Sequence, residues 1–278
     1  MKVARYWARR SCTADDENGY PVTRTVLRGS DISLADAEHR VKLACDQICQ
    51  NIRAGFEPDW YAYDRQTKPE PIEREWFNEA GARAAAITTN RHGIPVLNTA
   101  SLAFIDVDLL PRKKPGLLAK MFSKKDAPTD DPNIAAFHIW VRGSNARSAR
   151  IYRTAAGLRY LITAPSFDPE SVETARLMEQ LNADPMYARL CKHQRSFRAR
   201  LAPKPWRIGC TGISVNAVND RESPADSGNL DHYKEAAKRY AVCELVEEVG
   251  PPPRDALIQE LVRVHDEMCS VGSYLPLA

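Results

Sequence analysis

No apolar run in this 278-residue chain approaches the length of a membrane-spanning helix. The N-terminus, Met1-Lys2-Val3-Ala4-Arg5-Tyr6-Trp7, lacks the apolar core of a secretory signal and reads as the start of a strand. A cytoplasmic protein without a membrane partner is therefore expected. The phosphate cradles of a P-loop or a Gly-x-Gly-x-x-Gly turn are absent, as is any recognisable Ser-His-Asp frame. Seven cysteines are scattered in an odd number with no Cys-x-x-Cys pair, which points to free thiols. Cys45 and Cys49, one helical turn apart, read as small core hydrophobes. Cys191, His193 and Cys210 could form part of a zinc site but lack a Cys-x-x-Cys partner. There is no internal repeat, and a net charge of +3 is too small to argue for nucleic acid by itself.

What is present is an ordinary globular balance, 44% hydrophobic and 27% charged, enough for one large domain or two small ones. The first hundred residues read as an α/β unit. Lys2–Arg10 and Pro21–Arg28 are strand-like around the turn at Asn18-Gly19. Ser33 then caps a helix with Asp36 three positions on. Leu34, Val41, Cys45, Ile48 and Ile52 form its apolar stripe, and Gly55 ends it. Residues 84–89 and 94–97 form a second hairpin around Asn90–Gly93. Trp60, Tyr61 and Tyr63 suit base stacking, or a mixed loop-and-core role.

The most informative feature is Phe104-Ile105-Asp106-Val107-Asp108. Strand alternation puts Asp106 and Asp108 on one face, about 7 Å apart. Carboxylates on a core strand are rare unless paired or metal-bound, so the motif is a candidate Mg²⁺ or Mn²⁺ site. The alternative is a strand end whose acids face solvent or pair with a nearby Arg. Residues 111–133, rich in Lys, Pro and Asp, read as a surface insertion with a short basic amphipathic piece at Leu117–Phe122.

Regular structure then resumes. A helix is expected over 134–144, strands over 150–154 and 158–163, and a helix from Asp168-Pro169-Glu170 to Leu181. The order β-α-β-β-α is that of an RRM-like or ferredoxin-like split βαβ core. Gly157 in the intervening turn allows a close backbone approach, and Arg159 lies where it could meet a phosphate or pair with an acid. Two terminal helices are expected, over 229–249 and 255–270, and His265-Asp266-Glu267 reads as helix surface.

The tract Tyr187–Arg207 holds Arg189, Lys192, Arg195, Arg198, Arg200, Lys204 and Arg207 and no acid. Met186, Leu190, Gln194, Phe197 and Leu201 give it a helical rhythm, so one face can pack while another presents cations. A single-sign cluster suits an anionic partner, Arg through its planar fork and Lys as a point charge. The alternative is internal pairing with the chain's many acids.

A strand ending in hydrophobic-Asp-hydrophobic-Asp, then a helix, then a small-residue hairpin, resembles the archaeo-eukaryotic primase superfamily. The resemblance covers about a hundred residues. It implies that Asp106 and Asp108 bind catalytic Mg or Mn, and that Thr154, Gly157 and Arg159 occupy the phosphate-contacting hairpin. Arg198, Arg200, Lys204 and Arg207 would then clamp a nucleotide or nucleic acid. The family has His where this chain has Arg159, and its third acid falls in the region of Arg198 and Arg200. Most of the chain, including Val96–Thr99, Phe104–Asp108, Tyr152–Arg159 and Phe197–Arg207, also resembles a family of uncharacterised bacterial proteins.

The fold expected is α+β: an N-terminal α/β unit over 1–100, a primase-like core over 101–208 and a helical segment over 209–278. Three functions compete. They are metal-dependent nucleotidyl transfer, non-catalytic nucleic-acid binding on the same scaffold, and a structural or regulatory protein with internally paired Arg.

Overall fold

The computed structural model describes residues 1–56, 69–109, 132–211, 213 and 224–278. The stacking residues Trp60, Tyr61 and Tyr63, and the amphipathic piece Leu117–Phe122, lie outside them. The architecture is mixed α+β, with ten strands and six helices among the described residues. No described helix is long and apolar enough to cross a membrane.

Strands β1 (Tyr6–Asp15) and β2 (Pro21–Ser30) form a two-stranded antiparallel ribbon. Helix α1 (Leu34–Arg53) starts where Ser33 Oγ accepts the Asp36 N–H at 3.1 Å. Ala37, Val41 and Cys45 pack onto Ala8, Cys12 and Val26 of the ribbon. Leu34, expected on this stripe, is exposed in the first turn.

The second sheet joins β3 (Ile72–Phe77), β4 (Arg83–Thr89), β5 (Pro95–Thr99) and β9 (Phe197–Arg200), in that order. The third contains β6 (Ala103–Asp108), β7 (Ser148–Thr154), β8 (Gly157–Ala164) and β10 (Cys243–Val249), in the order β10-β7-β8-β6. Every neighbouring pair is antiparallel, and β8 lies between β6 and β7. Helix α2 (Pro132–Arg142) covers one face, with Phe137 stacked on Tyr160 at 4.0 Å. Helix α6 (Ala256–Met268) covers the other, where His265 lies 5.3 Å from Phe104 and 5.0 Å from Tyr152, ring to ring. Cover on both faces explains why β8 is buried from Gly157 to Thr163.

Several elements differ from expectation. The first strand runs over 6–15, not 2–10. Helix α3 (Val172–Gln180) is capped by Ser171, whose Oγ accepts the Thr174 N–H, and Asp168-Pro169-Glu170 forms the turn before it. The helix expected through the basic tract is α4 (Pro185–Gln194) alone. Arg195 adopts a left-handed conformation there (φ 53°), and alternation then wins: buried Phe197, Ala199 and Leu201 alternate with Arg198 and Arg200. The helix expected over 229–249 is also shorter. Helix α5 (Pro224–Ala237) ends first, and residues 243–249 become β10 on the edge of β7. Strands therefore cross the segments expected from sequence: β9 completes a sheet begun before residue 100, and β10 one begun after it.

Gly157 lies at the start of β8, opposite Asp108. A Cβ there would sit 1.9 Å from the Val107 carbonyl oxygen. Gly157→Ala is expected to destabilise the protein by about 1–3 kcal/mol or more through overpacking against backbone. Urea denaturation measures it; an unchanged midpoint would show that β6 and β8 are not so closely apposed.

Candidate functional site

Alternation along β6 puts Asp106 and Asp108 on the α6 face of the sheet, and the register puts Arg159 opposite Asp106. The pair is bidentate: Arg159 Nε donates to Asp106 Oδ1 at 2.8 Å and Nη2 to Oδ2 at 3.3 Å. Arg159 Nη1 donates to the Arg200 carbonyl at 3.0 Å and faces His265 Nε2 at 3.3 Å. Only 1% of Arg159 is exposed, so its charge depends on these partners. Burial pushes the Asp106 carboxyl up, but Arg159, then Arg200 and His265, more than reverse this and hold it below its ordinary value. Arg159 is thus the internal partner of an acid, the second of the two roles its position allowed.

Beside this pair opens a cleft of ≈ 180 Å³ whose lining includes Asp106, Asp108, Thr154, Arg159, Arg200, Lys204 and Arg207. Seven of the nine residues singled out from sequence therefore converge. Arg200 Nη2 stands 4.0 Å from Asp106 Oδ2, with 43% of its side chain exposed. Lys204 is half-buried, and Arg207 is exposed at the end of a 3₁₀ turn over Pro205–Arg207. Burial first, then Arg200 and Arg207, press the Lys204 ammonium below its ordinary value. Arg200 is lowered by burial, by Arg159 and by Arg207, with Asp106 pulling the other way. The cleft thus concentrates positive charge that its own acids do not fully offset.

Two expected residues play other parts. Arg198 turns to Glu70, its Nη2 donating to both carboxylate oxygens at 2.8 and 2.9 Å, so it belongs to an internal ion pair and not to the cleft. Gly157 permits strand contact and donates its N–H to Thr154 Oγ1 at 3.0 Å. One residue was missed. Asp184, the N-cap of α4, also lines the cleft, and its N–H donates to the Asp106 carbonyl at 3.1 Å. Its signal was the Asp-Pro pair that opens many helices. Tyr187 then pins α4 to β6 through a 2.7 Å bond to the Phe104 carbonyl.

The acids do not fit Mg²⁺ or Mn²⁺ as arranged. Both Asp106 oxygens are engaged by Arg159, and no three carboxylates converge among the described residues. The three-ligand group that does converge there is Cys243, His265 and Cys269, all buried. His265 is therefore core and not helix surface: Ile258, Leu261, Val262, His265 and Cys269 share one stripe of α6, a spacing visible in the sequence. Hydrogen bonding with Cys269, then with His265, pulls the Cys243 thiol down to about 5 against burial. No protein-family model, curated protein or solved structure matches the chain.

Arg159→Ala leaves Asp106 charged without its partner and is expected to cost about 3–5 kcal/mol in urea unfolding. Asp106 also carries a pH signature. Its folded value is depressed, so its stabilisation is complete above the unfolded value of about 4 and is lost as pH falls through the folded value. Asp106→Asn should remove that acid-side loss. Identical acid limbs in wild type and variant would contradict the pairing.

Proposed function

We propose that the cleft binds phosphate groups of a nucleotide or a nucleic-acid backbone. One observation carries this reading: Arg200, Lys204 and Arg207 converge on one cavity, where burial and mutual repulsion hold the Lys204 ammonium below its ordinary value beside a guanidinium that keeps its charge. A bound polyanion relieves that repulsion, and guanidinium and ammonium groups together suit phosphate oxygens. Thr154 adds a hydroxyl to the lining. Trp206, 56% exposed beneath the Lys204 ammonium at 5.6 Å, offers a ring on which a base can stack. The order β6-α2-β7-β8, with β8 folded between β6 and β7, supports an RRM-like or primase-like description of the core. Seven free thiols fit a reducing compartment, so the reading is cytoplasmic.

In this account the protein is a phosphate-binding module and Arg159 is a positioning residue. Its hold on the Arg200 carbonyl sets where β9 delivers Arg200 to the cleft. A second reading, metal-dependent nucleotidyl transfer with Mg or Mn, is favoured by exposed Asp108 and by Asp184 in the same lining. It requires Asp106 to be released by Arg159.

Fluorescence anisotropy with a labelled single-stranded oligonucleotide tests the proposal across a salt series. The Lys204→Ala/Arg207→Ala variant should bind more weakly and lose about 1.4 from the log–log salt slope, at about 0.7 per phosphate contact. Arg198→Gln should leave the slope unchanged. Equal affinity and slope in wild type and the double variant would refute the cleft as the binding site. Manganese-dependent nucleotide incorporation that is lost in Asp108→Ala would favour the second reading.

A further inference from the structure

Beyond the cleft, the α6 face of the sheet buries a second set of chemistry-bearing groups. Cys243 begins β10, His265 lies in the last turn of α6, and Cys269 caps that helix. All three are fully buried, and a ligand atom from each lies within 4.8 Å of the others. The chain holds them together firmly. The Cys269 N–H donates to the His265 carbonyl at 2.9 Å, and the Val242 N–H donates to the Cys269 carbonyl at 3.0 Å. The strand start and the helix end are therefore tied at the point where the thiols meet.

We propose that Cys243, His265 and Cys269 bind one zinc ion. Two sulfurs and an imidazole are the donor set that zinc takes and that Mg²⁺ or Mn²⁺ does not. Tetrahedral zinc with bonds of about 2.3 Å to sulfur and 2.0 Å to nitrogen needs ligand atoms about 3.5–3.8 Å apart. The observed ligand atoms, all within 4.8 Å of one another, would draw together to reach that spacing.

The hydrogen bonds around His265 support the assignment. Nδ1 faces Asp266 Oδ1 at 2.9 Å, and a carboxylate there can only accept. Nε2 faces Arg159 Nη1 at 3.3 Å, and a guanidinium can only donate. The ring therefore carries its proton on Nδ1 and a lone pair on Nε2. A carboxylate behind Nδ1 is the outer partner that orients a metal-bound imidazole. Asp266 is fixed in turn by the Tyr152 hydroxyl at 2.8 Å and Arg150 at 2.7 Å.

Charge also balances. Two thiolates and Zn²⁺ are neutral together, and the neighbouring pairs Asp106–Arg159 and Asp266–Arg150 are already matched. Zinc would take the Nε2 lone pair that Arg159 now faces, while Arg159 keeps Asp106 and the Arg200 carbonyl. The chain supplies three ligands, and the fourth position would fall to a solvent molecule or another small ligand. Zinc held by these three buried groups would clamp β10 to α6 and support the segment that carries Arg200 to the cleft.

The test is metal analysis of the full chain purified under reducing conditions without added chelator. About one zinc per chain is expected, with loss in Cys269→Ser and retention in Cys49→Ser. Should Cys269→Ser fail to fold, chelator-stripped wild type titrated with Co²⁺ gives an independent reading. Thiolate-to-cobalt charge-transfer bands and tetrahedral ligand-field bands should appear at one equivalent and vanish on adding zinc. Wild type that carries no zinc and shows no such bands would overturn the proposal. So would a Cys243–Cys269 disulfide in protein purified under reducing conditions.

Discussion

A guanidinium cannot shed its charge inside a protein, so a buried Arg must be met by fixed acceptors or expelled. Arg159 is met. Asp106 grips it from the neighbouring strand in the same register, and the Arg200 carbonyl takes a third N–H. This one cation joins β6 and β8 to β9 of the other four-stranded sheet. Its partners on α6 extend the network through His265 and Asp266 to Tyr152 and Arg150. A buried ion pair is weak support for stability in itself, yet removing one member is costly. The interaction thus fixes which strands lie together more than it adds to the folding free energy.

The cleft follows from that constraint. Once Arg159 neutralises Asp106, the cations arriving from Arg200 to Arg207 meet too few acids. Asp108, two residues along β6, points to the same face but lies opposite Gly157, which has no side chain to answer it. One strand pair therefore supplies both a closed ion pair and an open acid at the rim of a basic cavity. Positive charge gathered in a concave, partly desolvated place is how a protein attracts phosphate. The same α6 face continues inward to Cys243, His265 and Cys269, so the cleft rests on a soft-ligand cluster.

Much of the central sheet was legible because its signals are local. The Asp-x-Asp alternation, the tight turn at Ala155–Gly157 and, outside that sheet, the Ser33 cap each depend on neighbours within a few residues. What was illegible depended on distant partners. Residues 243–249 carry three glutamates and look like helix surface, and only the open edge of β7 makes them a strand. Arg198 and Arg200 are indistinguishable in sequence, yet Glu70, 128 positions away, claims the first and leaves the second to the cleft. His265 was hidden by its charged neighbours Arg263, Asp266 and Glu267, although its spacing from Leu261 and Cys269 places it on the core stripe. The alternation Phe-Arg-Ala-Arg-Leu was readable as a strand, but the helical rhythm entering from α4 masked it.

The proposed function implies a division of labour: Arg159 holds the fold together, and Arg200, Lys204 and Arg207 would receive the phosphate. A crystal structure of the protein soaked with inorganic pyrophosphate tests that division directly. Phosphate density is predicted among the Arg200, Lys204 and Arg207 side chains, with Arg159 still bound to both oxygens of Asp106. Pyrophosphate bound elsewhere, or Arg159 swung away from Asp106 to reach it, would contradict the account.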